Sequence, residues 1–81
     1  MLTPSDLSPR IQQWRADFGL HLRRHREQRQ LSQEALAESA GVDRKLIYRT
    51  ELGQTSPRLD AVVKLADALG LDPAELLPRS D

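Results

Sequence analysis

The stretch GVDRKLIYRTELG, residues 41–53, crowds Arg44, Lys45 and Arg49 into six residues of an 81-residue chain whose formal net charge is zero. A glycine that follows an apolar helical run takes the left-handed position that closes a helix, and the apolar residue after it packs back onto that helix; Gly41 and Val42 fit these roles. Asp43 then accepts backbone N–H bonds at the positive end of a new helix. The stretch therefore reads as a helix end, a tight turn and a second helix running from Arg44 to about Leu52, closed by Gly53. At about 100° per residue, Leu46, Ile47, Thr50 and Glu51 cover one side of that helix. Lys45, Tyr48, Arg49 and Leu52 fall on the other, with Arg44 at the border of the exposed arc, so the three cations share one side.

Working outward, Ser32 caps a preceding helix, SQEALAESA, whose Leu36, Ala37 and Ala40 face one way. Two short helices joined by Ala40-Gly41-Val42-Asp43 have the sequence form of a helix-turn-helix, and Ala37 and Gly41 are small enough for the helices to cross closely. Upstream, Ser8-Pro9 pairs a cap with a proline at the first helical position, and Ile11, Trp14, Phe18 and Leu22 recur at helical spacing. This predicts one helix reaching about Arg29. Gly19 interrupts the pattern, so a start near Asp17, with residues 1–16 as an arm or a separate short helix, is the alternative. Downstream, Ser56-Pro57 opens a fourth helix carrying Leu59, Val62, Val63, Leu65, Ala66 and Leu69, and Gly70-Leu71 repeats the stop at Gly41-Val42. Asp72-Pro73-Ala74-Glu75 reads as a capping box that opens a short fifth helix ending near Pro78. No segment calls for a strand, and an all-α bundle of five helices is expected.

Composition narrows the function classes. At 81 residues the chain is one small domain with a barely sufficient core, which leaves little room for an enclosed active site. The absence of cysteine excludes a disulfide framework and a thiolate zinc site. The opening MLTPSDLSPR lacks the apolar core of a secretory signal, and AVVKLADALGL, the richest apolar run, is interrupted by Lys64 and Asp67, so a cytoplasmic protein without a membrane span is expected. His21 and His25 lie four apart on a helix but have no further ligands, and no Ser-His-Asp, Cys-His or glycine-rich phosphate-loop grouping occurs; neither metal, cofactor nor enzyme activity is expected. The zero net charge conceals an asymmetry: residues 10–49 hold nine Arg/Lys against five Asp/Glu, and residues 50–81 hold three against six. A local basic face that meets phosphate is compatible with such a chain.

Residues 18–77 resemble the five-helix DNA-binding domain of the xenobiotic-response-element (XRE) family, which includes lambdoid phage repressors, restriction-modification controller proteins and HipB-like antitoxins. The resemblance rests on Phe18-Gly19, Leu22 and Arg26, followed by LSQEALAESAGVDRKLIYRTELGQTSPRLDAVVKLADALGLDPAELL. It implies a repressor-like bundle over residues 18–77, with residues 1–17 as an arm or an extension of the first helix and 78–81 as a tail. It also implies that Arg44, Lys45 and Arg49 reach base edges, where arginine and lysine pair with guanine O6 and N7. Tyr48 beside them would stack on sugar-phosphate or touch a thymine methyl. Ser32 and Gln33 would contact the DNA backbone, Gln33 also bracing the recognition helix, and Gln54, Thr55 and Ser56 would lie along the backbone without the lysine or arginine often found in that loop. Arg26 and Glu51 match a pair that joins the first and third helices, and Thr50 stands where the family usually has an apolar residue.

One recognition helix reads only a few base pairs, so a homodimer on a pseudo-palindromic operator is expected. Leu71, Leu76 and Leu77, in the acidic C-terminal part, are the first candidates for its interface, and Ile11 with Trp14 the rivals. The resulting expectation is a sequence-specific regulator that binds double-stranded DNA. The alternative is an antitoxin or other protein-interaction module, with a toxin as partner and autoregulatory DNA binding; the N-terminal extension, which a minimal helix-turn-helix does not need, speaks for it.

Overall fold

The computed structural model describes residues 8–78, so residues 1–7 of the expected arm or extension and residues 79–81 of the expected tail lie outside the described residues. Five helices follow in order: α1 (Pro9–Gln28), α2 (Gln33–Ala40), α3 (Arg44–Glu51), α4 (Leu59–Leu69) and α5 (Pro73–Leu76). There is no strand among the described residues.

α1 is a single helix of 20 residues, which decides between the two starts that the sequence left open. The Ser8 hydroxyl accepts the Ile11 N–H at 3.1 Å and Pro9 occupies the first turn, where its missing N–H leaves no bond unmade. Gly19 does not interrupt the helix; it lets another backbone come close. A Cβ on residue 19 would run into the Thr50 carbonyl oxygen and lie 2.9 Å from that of Glu51. The bare glycine is what allows α1 to rest on the last turn of α3. At its other end α1 stops without glycine: Gln30 adopts φ +56°, and the Leu31 N–H turns back to the Arg26 carbonyl at 3.2 Å.

The turn between α2 and α3 is built as the sequence predicts. The Ser32 hydroxyl accepts the Ala35 N–H at 3.0 Å, Gly41 closes α2 at φ +71°, and the Val42 N–H reaches back to the Ala37 carbonyl at 3.0 Å. Asp43 then caps α3 through the Lys45 N–H at 2.8 Å. α4 departs from expectation. It begins at Leu59 with Arg58 as an N-cap that makes no side-chain bond, so Ser56-Pro57 precedes the helix rather than capping it. The backbone is still extended at Arg58, φ −65° and ψ 156°, which is two residues too late for Ser56 to cap the first turn, and the Ser56 hydroxyl instead accepts from Arg15 of α1 at 2.8 Å. α5 has its capping box: Asp72 accepts the Ala74 N–H at 2.9 Å and Glu75 accepts the Asp72 N–H at 2.7 Å.

Phe18, Leu22, Leu36, Ala37, Ile47, Val62, Leu65, Ala66, Leu69 and Leu76 form the core, so every helix contributes to it. Each fully buried leucine adds about 1.5–3 kcal/mol relative to its exposed state. Thr50 is the misfit. It is completely buried and its hydroxyl has no partner, an arrangement that costs about 1–3 kcal/mol. At a position where the resemblance implies an apolar residue, Thr50 buries a methyl together with an unsatisfied donor.

Candidate nucleic-acid interface

The interface begins with the division of α3 into two faces. Ile47, Thr50 and Glu51 are buried and Leu46 is half-buried, whereas Arg44, Lys45, Tyr48 and Arg49 are exposed. None of the three cations enters an ion pair among the described residues, so their charge is not neutralised by the protein. Guanidinium and ammonium groups on one exposed helix face can meet phosphate as point charges or base edges as directed donors.

What holds that face in place is a buried carboxylate shared by three helices. Arg26 of α1 makes a two-pronged contact with Glu51 of α3, Nε to Oε2 at 2.7 Å and Nη2 to Oε1 at 2.9 Å. Its third donor, Nη1, reaches the Leu31 carbonyl at 2.8 Å. Gln33 at the start of α2 donates Nε2 to Glu51 Oε1 at 3.0 Å. These bonds keep the Arg26 guanidinium charged and push its pKa up from its ordinary value, with the Glu51 hydrogen bonds as the main cause. The arrangement fixes the tilt of α3 against both α1 and α2. Of the expected side chains, Arg26, Glu51 and Gln33 are therefore brought together, and the bracing of α3 by Gln33 is a direct bond rather than a matter of packing.

The expected backbone-contact residues occupy two places. Ser32 uses its oxygen lone pair to cap α2, which leaves its O–H free to donate outward. Gln54, Thr55 and Ser56 follow α3 in an irregular segment, with the Gln54 N–H bonded to the Arg49 carbonyl at 2.9 Å. Gln54 and Ser56 are exposed and Thr55 is half-buried. The bond from Arg15 to Ser56 was not visible in the sequence, because the partners are 41 residues apart and no local pattern links them.

The proposed dimer residues need correction. Leu76 is fully buried in its own protomer's core and has no surface to offer a partner. Leu71 is half-buried against that core, while Leu77 is 47% exposed. The rival pair Ile11 and Trp14 does not form a separate surface: together with Phe18, Pro57, Val62 and Leu77 these residues give the apolar part of one groove, which Arg10, Arg15, Thr55 and Ser56 also line. Elsewhere, His21 and His25 lie side by side on α1 with ring centroids 4.9 Å apart. Arg29 donates to the Leu69 carbonyl at 2.7 Å and so closes the C-terminal end of α4, while its Nη1 lies 3.3 Å from His25 Nδ1. Among the described residues no helix is long and apolar enough to cross a membrane.

Comparisons with known proteins agree with this architecture. Residues 17–78 match the family described as "Helix-turn-helix domain". The chain is 43% identical over 54 residues to an uncharacterized HTH-type transcriptional regulator from Methanothermobacter thermautotrophicus, covering 67% of this chain and 78% of that one. It is 38% identical over 64 residues to the cryptic phage CTXphi transcriptional repressor RstR of Vibrio cholerae, covering 79% of this chain but 58% of the repressor. Among solved structures, the restriction-modification controller protein C.AhdI from Aeromonas hydrophila aligns with a TM-score of 0.76 at 41% identity, over 78% of this chain and 96% of C.AhdI. The hypothetical transcription factor NHTF from Neisseria aligns with a TM-score of 0.77 at 32% identity, over 96% of this chain and 90% of NHTF. With a family match over most of its length and an unneutralised basic face on the second helix of the motif, the chain belongs to the helix-turn-helix family of DNA-binding transcriptional regulators.

Proposed function

We propose that the protein is a sequence-specific regulator that reads double-stranded DNA with α3 and binds its operator as a homodimer. The observation that carries the proposal is the pairing of two properties in one helix. Arg44, Lys45, Tyr48 and Arg49 are exposed with no ion pair to neutralise the cations among the described residues, and the opposite face is locked by Glu51 to Arg26 and Gln33. A helix presented rigidly in this way suits the major groove, whose base edges carry a distinct donor and acceptor code. Arg44, Lys45 and Arg49 read bases, with guanine as the preferred partner, and Tyr48 contacts the adjacent sugar or a thymine methyl. Ser32, Gln33, Gln54, Thr55 and Ser56 position the protein on the phosphates without specifying sequence.

The need for a dimer comes from length. Eight residues of α3 at about 1.5 Å each span about 12 Å, or three to four base pairs, too few to specify an operator. In the groove, Ile11, Trp14 and Leu77 offer apolar surface to a second copy, which must leave Arg15, Thr55 and Ser56 of the same lining open to the DNA. Sedimentation at twice the protomer mass supports this occupant; a monomer that co-purifies with a different protein would hand the groove to a heterologous partner such as a toxin.

Base reading is tested by comparing two alanine variants on operator and random DNA. Arg44→Ala is expected to lose about 1–3 kcal/mol on the operator and to relax preference at one position, whereas Gln54→Ala, whose side chain braces nothing on α3 among the described residues, weakens all sequences alike. Equal losses on both DNAs for Arg44→Ala would contradict base reading by that residue.

A further inference from the structure

The loop after α3 poses a problem for a DNA-binding protein. Gln54, Thr55 and Ser56 have only neutral donors to offer a phosphate, and the loop's single cation, Arg58, stands at its far end as the N-cap of α4. The structure brings a second cation to Ser56 from a distant part of the chain. The loop lies directly on α1: a Cβ on Gly53 would come within 3.1 Å of the Ala16 Cα, and one residue earlier Arg15 donates its Nε to the Ser56 hydroxyl at 2.8 Å.

Three features separate Arg15 from an ordinary surface arginine. Its partner is a hydroxyl, which positions the guanidinium without cancelling its charge. No ion pair among the described residues involves it, and Asp17, two residues along, accepts a bond from Gln13 at 2.9 Å. Finally, the buried residues of α1 begin at Phe18, so the two turns from Pro9 to Asp17 are not needed to fill the core.

From this geometry we propose that Arg15 is a phosphate-binding residue, and that the N-terminal extension of α1 supplies a cationic backbone anchor beside Ser56, in addition to whatever Arg58 contributes at the end of the loop. This rests on the reading of α3 as the recognition helix. With Nε committed to Ser56, four of the five guanidinium N–H donors remain, enough for the two-pronged grip that arginine makes on phosphate. Ser56 accepts from Arg15 and keeps its own O–H to donate to the same anion. Arg15 and Ser56 then form one neutral-plus-cationic donor pair in the loop that follows the base-reading helix.

Salt dependence tests the assignment, because each phosphate neutralised by a cation releases condensed counterions. Binding of the wild type, Arg15→Ala, Arg15→Lys and Ser56→Ala is measured over a salt series on a selected operator and on random duplex, with Arg44→Ala as the control for base reading. Arg15→Ala is expected to weaken both DNAs by a similar factor and to reduce the slope of log affinity against log salt by about 0.9 per bound protomer. Arg15→Lys keeps the slope, and Ser56→Ala keeps it too, since the cation remains beside the phosphate. An unchanged slope for Arg15→Ala overturns the proposal, as does a Ser56→Ala variant that loses as much slope as Arg15→Ala, which would make Arg15 only a brace for the loop. In either of those cases a sequence-selective loss in Arg44→Ala leaves the recognition-helix reading standing. A wild type that shows no DNA binding removes both together.

Discussion

Replacing Glu51 with leucine removes the carboxylate on which α1, α2 and α3 meet, and the structure gives the size of the expected loss. The side chains of Glu51 and Arg26 are 4% and 11% exposed, so Glu51→Leu leaves a guanidinium almost out of water with only the Leu31 carbonyl and restricted solvent access. Breaking a buried pair from one side costs about 3–5 kcal/mol, chiefly because the remaining charge is stranded. Arg26 lies nearer the surface than Glu51 and retains one carbonyl partner, which favours the lower end, about 3 kcal/mol. A domain of this length is stable by only about 4–12 kcal/mol, so the variant loses a large part of its margin. Removing both charges is a different perturbation. In Arg26→Met combined with Glu51→Leu, nothing charged is left buried, and stability within about 1–2 kcal/mol of wild type is expected. Urea unfolding of the four proteins in this cycle provides the numbers. A loss below about 1 kcal/mol in Glu51→Leu, or a double variant no better than the single one, would refute the reasoning that a stranded charge dominates.

Three further outcomes follow from particular contacts. Gly19→Ala gains about 1 kcal/mol of helix propensity but drives a Cβ into the Thr50 and Glu51 carbonyls, backbone atoms that cannot rotate aside; a net loss of stability is expected, together with weaker DNA binding as α3 is pushed outward, and a stabilised variant in urea would contradict the close approach. Thr50→Val removes a buried hydroxyl with no partner and keeps the shape, so a gain of about 1 kcal/mol is expected in the same assay, whereas a loss of that size would mean that the hydroxyl is satisfied. The pKa of His25 is held below its ordinary 6.5, mainly by burial, then by His21, Arg29 and Arg24 against the opposing pull of Glu75. Because the folded state disfavours the proton, the unfolded chain binds it first: the stabilisation is complete above about pH 6.5 and is lost as pH falls through the folded value. Thermal melts between about pH 7.5 and about pH 5 are therefore expected to show a shallower decline for His25→Gln, which keeps an acceptor near Arg29, and parallel profiles would exclude His25 as the source.

Much of this molecule is encoded locally and could be read locally. Ser8, Ser32, Asp43 and Asp72 cap the helices that the sequence assigns to them, and the side of α3 carrying Ile47, Thr50 and Glu51 is the buried one, because caps and amphipathic faces depend on residues no more than a turn or two apart. Features that depend on two distant segments were misread or invisible. Gly19 looked like a helix breaker because its reason for being glycine lies on α3, at Thr50 and Glu51. Ser56-Pro57 looked like a helix start, but the chain stays extended through Arg58 and the partner of Ser56 is Arg15, on another helix. Leu76 and Leu77 are adjacent and chemically identical, yet one is buried and the other is 47% exposed; at the end of a four-residue helix no periodicity is long enough to separate them. The pairing of Arg26 with Glu51 came from the family resemblance, not from spacing, and the bond from Gln33 to the same carboxylate explains why a polar residue at the start of α2 bears on the orientation of α3.

Selecting bound duplexes from a random DNA pool with the full chain addresses DNA reading, symmetry and base preference in one step. If two copies present α3 to successive major grooves, the selected sequences should contain two inverted half-sites with centres about 10 bp apart, each with guanine at one or more fixed positions. A pool that stays random after selection, or that converges on a single unpaired site, would contradict a dimer reading DNA through Arg44, Lys45 and Arg49.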